Sequence, residues 1–367
     1  MPLLSEIIFE LEKFAPLQWQ EKYDNSGLLV GYMQQEINGA ILCLDCIEAV
    51  VDEAIAQQCN LIIAHHPILF SGLKSLTGKN YIEKTILKAI KNNIAIYAAH
   101  TNLDNVYDGV NFKIAEKLKL KNVSILAPTF QSIKQLYVYV PNSHVANVRN
   151  ALFEAGAGNI GQNYTECSFN TEGVGTFKPN ENAQPFLGKK NILQKENETK
   201  IEVVYTINNE RKILNALEQS HPYEEIAYGI VTLENKNKQI GAGVVGELEN
   251  EMDEKDFLHV LKTNMQINCI RHTHFLNKKI KTVALCGGSG SFLLPQAIAK
   301  KAHIFTSADF KYHQFFDANQ QIIIADIGHY ESEQFTSEIF YDVLSKKFLN
   351  FALRFTNVNT NPINYYL

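Results

Sequence analysis

Apolar positions in this chain fall into two kinds of run, and the runs alternate. The stretch Leu3 to Phe14 is amphipathic, and Ala49 to Gln58, Tyr81 to Lys91 and Val110 to Leu118 read as helices. Between them stand short, nearly unbroken apolar runs, Ala40 to Leu44, Leu61 to Ala64 and Ile94 to Ala98. Such runs, bounded by turn residues, are the mark of buried strands. The alternation predicts a mostly parallel sheet covered by helices. The same pattern returns after residue 240, with helices at Asp253 to Lys262 and Leu294 to Lys301 and a terminal helix from Gln334 to Phe348. Strands are predicted there at Thr282 to Cys286, Ile304 to Thr306 and Ile322 to Ala325.

The middle follows a different rhythm. Strands at Gln135 to Val140, around Thr171 to Thr176, at Ile201 to Ile207 and at Ile226 to Leu233 are interleaved with helices at His144 to Glu154 and Glu210 to Gln219. Strand–helix–strand–strand–helix–strand is the ferredoxin-like order. Ala127-Pro128-Thr129 and Asn235-Lys236-Asn237-Lys238 flank it as candidate boundaries. The predicted class is therefore α/β. A discontinuous core of mostly parallel sheets, residues 1–129 and 241–367, carries an inserted ferredoxin-like α+β domain at 130–240.

The chemistry gathers where three of the apolar strands end. Leu61-Ile62-Ile63-Ala64 runs into His65-His66-Pro67, and Pro67, with no N–H to donate, ends the pairing. Adjacent imidazoles are costly to bury idle, because each ring nitrogen needs a partner. A second run, Ile94 to Ala99, leads into His100-Thr101-Asn102-Leu103-Asp104, and a third, Ile322 to Ile327, into His329-Tyr330-Glu331-Ser332-Glu333. On a helical turn His329 and Glu333 share one face. Sites in open α/β sheets lie at these carboxyl ends. The set His65, His66, Asp104, His329 and Glu333 suits two divalent cations bridged by carboxylate. Zinc is the first expectation, and manganese, iron and nickel also suit imidazole and carboxylate.

Other candidates stand beside this set. His100 can orient a ligand or relay a proton, or simply cap a strand end. Asp309, Lys311 and His313 follow a strand and either bind substrate or form a polar loop. Gly287-Gly288-Ser289-Gly290 lies between a strand and a helix; its N–H groups either hold a phosphate or make a tight turn. It lacks the lysine of a P-loop. His221-Pro222-Tyr223-Glu224-Glu225 in the middle segment reads as a turn, with metal binding as the alternative. Cys43 and Cys46 have metal-pair spacing but lie in a strand, without a second pair.

Composition narrows the class. The 367 residues are 46% apolar and 20% charged, an ordinary globular balance. A formal net charge of −5 argues against non-specific nucleic-acid binding over the whole surface. No apolar stretch reaches the ~20 residues of a spanning helix, and the first residues lack a signal-peptide pattern, so no membrane association and a cytoplasmic location are expected. Six scattered cysteines are read as reduced thiols.

Taken in order, Asp24-Asn25-Ser26-Gly27-Leu28, His65-His66-Pro67, His100 to Asp104, Gly287 to Gly290 and His329 to Glu333 resemble the type 2 GTP cyclohydrolase I family, also called the Nif-three-like proteins. The resemblance covers essentially the whole chain. It implies a dinuclear metal site held by His65, His66, Asp104, His329 and Glu333, in an α/β core assembled as a ring-shaped homohexamer. It also implies a PII/CutA-like middle domain, and water attack on the guanine ring of GTP with His100 as proton shuttle. Two other readings remain open: a metal-dependent phosphoesterase acting on a nucleotide or phosphate ester, and a non-enzymatic metal- or ligand-sensing regulator.

Overall fold

The computed structural model describes residues 1–161 and 163–366. Contacts divide the chain into two compact units, one built from Met1–Ala127 and Ile240–Leu367 and the other from Pro128–Gln239.

The first unit contains two sheets. In one, the strands Gly27–Val30, Ala95–Ala98, Leu61–His66, Gly39–Asp45 and Ala352–Phe355 lie side by side in that order. The last four run parallel, and Gly27–Val30 pairs antiparallel at the edge. In the other, the strands Lys279–Ser289, Ile304–Ala308 and Ile323–Asp326 form a parallel centre. Asn237–Asp253 and Arg271–His272 flank it in antiparallel pairing. Parallel centres need both faces covered, which explains the unbroken apolar runs. Leu42, Leu61 and Ile63 point into one core, together with Leu285, Ile304 and Ile323 of the second sheet and with Leu4, Phe257 and Phe340 of helices. Their neighbours Ile41, Ile62 and Ala64 point the other way, against Val50, Val51 and Ile86. Ala284, Phe305 and Ile324 likewise cover the far face of the second sheet with Leu294 and Ala297.

Most predicted helices and central strands appear with boundaries shifted by a few residues. The terminal helix is shorter, Thr336–Ser345. Several strands gave no clear signal. Ala352–Phe355 is a short edge piece, and Lys121–Thr129 carries polar residues and Pro128. The long strand Asn237–Asp253 begins inside the polar stretch read as a boundary, and its ladder is broken by a register shift between Glu247 and Met252.

The second unit has a four-stranded antiparallel sheet in the order Phe169–Phe177, Gln194–Thr206, Ile133–Pro141, Tyr228–Leu233. Helices Val145–Glu154 and Glu210–Ser220 pack on one face through Val148, Leu152, Ile213 and Leu217. The opposite faces of Phe169–Phe177 and Tyr228–Leu233 stay largely exposed, as an antiparallel sheet allows. Among the described residues no helix is long and apolar enough to cross a membrane.

The turn after the short helix Thr101–Asp104 is sterically tight. A Cβ added at Gly109 would stand 2.0 Å from the carbonyl oxygen of Leu103. Gly109→Ala is therefore expected to lower unfolding free energy by about 1–3 kcal/mol, read by urea melts.

Candidate metal centre

Three strand ends and the segments after them build the site. His65 and His66 close Leu61–His66, and His100 follows Ala95–Ala98. The chain then turns into Thr101–Asp104, which carries Asp104 back toward His65. From the other sheet, Ile323–Asp326 leads through Gly328 into the helix His329–Glu333. Gly328 takes φ of 90°, a conformation that favours glycine, and this reversal aims His329 and Glu333 the same way.

Glu333, 3% exposed, lies between two donor groups. Its Oε2 is 3.0 Å from His66 Nε2 and 3.2 Å from His329 Nε2. Its Oε1 is 3.8 Å from His65 Nε2, which is 3.6 Å from Asp104 Oδ1. His65, Asp104 and Glu333 thus form one group that can hold a metal, and His66, His329 and Glu333 another. His100 packs its ring edge-on to His65 and His66, at 5.3 and 5.4 Å between centroids.

The Nδ1 atom of each imidazole is anchored. His65 Nδ1–H donates to the Ala99 carbonyl at 2.8 Å. His66 Nδ1 pairs with Asp45 at 2.7 Å, His100 Nδ1 with Asp24 at 2.8 Å and His329 Nδ1 with Asp309 at 2.6 Å. Such outer partners fix tautomer and ring orientation and leave Nε2 for a cation. Asp24 also accepts from Thr101, Ser26 and the Asn25 N–H, so four residues hold its carboxylate. Asp309 reaches back because it sits at φ of 59°, a left-handed conformation that Asp tolerates.

This arrangement leaves polar atoms unsatisfied. His65 Nε2 and Asp104 Oδ1 are buried with no hydrogen-bond partner among the described residues. With Nδ1 engaged by the Ala99 carbonyl, His65 turns Nε2 toward the carboxylates of Asp104 and Glu333, a place that a cation can fill. His66 and His329 place their Nε2 atoms 3.3 Å apart, both facing Oε2 of Glu333. The donor set fits a divalent cation.

Charge coupling points the same way. Burial alone would lower the His66 pKa, but Asp45 and Glu333 outweigh it and raise it to about 9. Burial is likewise overcome at His329, where Asp309 and Glu333 raise the pKa to about 11. Burial, then the Glu333 charge, pushes Asp104 up. Burial opposes ionisation of Glu333 too, yet the hydrogen bonds from His329 and His66 and the nearby His65 ring keep its pKa well below the usual carboxylate range. Burial followed by the nearby Asp104 and Glu333 charges pushes the Cys286 thiol up, so it stays protonated beside the site.

The remaining candidates separate clearly. Gly287, Gly288 and Gly290 are no phosphate cradle, because their N–H groups donate to Asn111, Ser332 and Ser307. Their role is space: a Cβ at Gly288 would lie 2.4 Å from Glu333 Oε1. Asp309 supports His329 directly, while Lys311 and His313 are exposed. His221 is a turn residue, bonded to the Tyr139 carbonyl and the Tyr223 N–H. Cys43 and Cys46 are buried and free. Sequence reasoning missed Asp45, although it is paired in register with His66. Asp24 stood in a quoted motif without a role.

Fold and site together define an α/β protein whose buried His and Glu groups can bind metal. The chain belongs to the Duf34/NIF3 (NGG1p interacting factor 3) family, which it matches over residues 2–362. It is 37% identical over 366 residues to a GTP cyclohydrolase 1 type 2 homolog of Bacillus subtilis (strain 168), covering 98% of each. Identity to the protein of the same name from Halalkalibacterium halodurans is 37% over 364 residues, again covering 98% of each. The crystal structure of a Bacillus cereus protein related to NIF3 superposes with a TM-score of 0.86 at 36% identity, covering 100% of this chain and 99% of that one.

Two outcomes are expected. Protons on His66 and His329 compete with a cation, so zinc affinity falls as pH is lowered from about 8 to about 6, measured by competition with a chromophoric chelator. Asp309→Ala, which removes the anchor of the partly exposed His329, weakens zinc binding by about 10–100-fold in the same assay.

Proposed function

We propose that this chain is a dinuclear metal-dependent hydrolase of the GTP cyclohydrolase type. The observation that carries this reading is Glu333 standing between two donor groups, with His65 Nε2 and Asp104 Oδ1 buried and without a hydrogen-bond partner among the described residues. His65, Asp104 and Glu333 would hold one cation and His66, His329 and Glu333 the other. Imidazole and carboxylate without thiolate suit zinc, and also manganese, iron or nickel. Bound cations would supply Lewis acidity and a nucleophilic hydroxide at neutral pH.

The chain's own residues supply the rest. His100, fixed through Nδ1 by Asp24, presents Nε2 beside His65 and His66. From there it accepts the proton of an attacking water and returns it to the leaving nitrogen. Phe70 lies 6.2 Å from the His100 ring and 6.2 Å from Tyr23, which offers a flat ring a stacking surface. A cavity of about 360 Å³ opens there, lined by Asp24, Asn25, Leu69 and Phe70 among others. With GTP, water would add at C8 and open the five-membered ring to a formamide, a second water would release formate, and rearrangement of the ribose with ring closure and loss of one water would give dihydroneopterin triphosphate. The names of the relatives carry this choice of substrate. The reading includes a cytoplasmic homohexamer with a PII/CutA-like middle domain; light scattering on the purified protein checks the assembly.

The test is metal content and metal-dependent formate release from GTP on one sample, with Glu333→Ala beside it. About two metals per chain with formate release, both lost in the variant, are expected. Two metals without formate would retain the centre, remove GTP as substrate and direct the assay to phosphate esters. Full metal occupancy in Glu333→Ala would overturn the ligand set.

A further inference from the structure

The second unit holds a cavity of about 740 Å³ with a chemistry of its own. Its floor is Glu198, from the middle of the strand Gln194–Thr206 and only 9% exposed. Oε1 of Glu198 accepts the Tyr223 hydroxyl at 2.8 Å. The other oxygen makes no hydrogen bond among the described residues, and the carboxylate lines the cavity. Among the described residues no Lys or Arg pairs with it. A largely buried carboxylate held by one hydroxyl keeps a free oxygen that a cationic ligand can take.

The fold makes room for this group. A Cβ at Gly175, on the neighbouring strand, would lie 2.0 Å from Glu198 Oε2. The walls are aromatic: Phe177 and Phe186 stand 6.0 and 6.4 Å from the Tyr223 ring. Glu224 accepts the Gln184 N–H through both oxygens and ties the 178–193 loop over the turn. Glu225 also lines the space, against one cation, Lys178. His221 behind Tyr223 adds no charge, since its Nδ1 accepts a backbone N–H and burial, its largest influence, lowers its pKa.

We propose that this cavity is a binding site for an organic cation, an ammonium group carried on an apolar or aromatic body. The ammonium would pair with Glu198 and lie against the faces of Tyr223, Phe177 and Phe186, as aromatic rings attract cations. The apolar body would fill the remainder, and the volume matches a small-molecule site. An inorganic cation would leave the aromatic walls unused. The proposal is independent of the metal centre, which lies in the other unit.

Isothermal titration calorimetry on the full chain tests it, with phenethylammonium chloride as probe and phenethyl alcohol and magnesium chloride as controls. Expected are saturable binding of one phenethylammonium per chain and no comparable binding of the alcohol. Glu198→Gln should weaken binding by at least about tenfold with zinc content unchanged. Phe186→Ala, at an exposed position that leaves the fold intact, should weaken it by about two- to fivefold. The proposal is overturned if the alcohol binds equally well, if magnesium displaces the probe, if both variants bind as the unaltered chain does, or if no saturable heat appears.

Discussion

Glu333 is a carboxylate buried where water cannot compensate its charge, and the architecture of the first unit answers to that constraint. It is reached by His66 and His329 on one oxygen and faces His65 on the other. The backbone makes way for it at Gly288, where any side chain would collide with Oε1. Ser332, beside it, turns its hydroxyl to accept the Gly288 N–H and donate to the His329 carbonyl. A buried anion tolerates few arrangements, because each unpaired lone pair is costly. The donor groups that include Glu333 could meet that demand by holding a metal ion.

A second layer of carboxylates does the aiming. Asp45, Asp24 and Asp309 each take the Nδ1 of one imidazole, and the Ala99 carbonyl takes the fourth. The physical result is uniform: Nε2 of each ring turns toward the centre. The anchors come from different places. Asp45 ends a parallel strand beside His66, Asp309 follows a strand of the other sheet, and Asp24 precedes the antiparallel edge strand. Their convergence ties the chemistry to the packing of both sheets onto a shared core. The second unit works by other means, with an antiparallel sheet, a core of its own and an aromatic cavity over the carboxylate of Glu198.

Much of this was legible in the residues. Apolar runs followed by histidines marked the central strands and the carboxyl ends where chemistry gathers, because parallel strands covered on both faces read as continuous apolar stretches. The spacing of His329 and Glu333 predicted one helical face, and the segment His329–Glu333 is a helix. Harder to read were Lys121–Thr129 and Asn237–Asp253, whose polar and glycine-containing sequences form strands only because a neighbouring strand accepts them. The glycines from Gly287 to Gly290 suggested an anion loop. Gly288 lets Glu333 approach and Gly290 makes room for Ser307, roles visible only once those side chains are in place.

The sequence by itself determined the types of the elements, the strand ends that bear histidine and carboxylate, and the family, because periodicity and local motif are properties of neighbouring residues. Tertiary structure alone decided that His65 and His66 from one sheet meet His329 and Glu333 from another. It also decided which aspartate anchors which ring, and that Glu198 lies beneath Tyr223, held by its hydroxyl. Those are contacts between residues distant along the chain, set by how sheets and helices bury their apolar faces, and no local pattern encodes them.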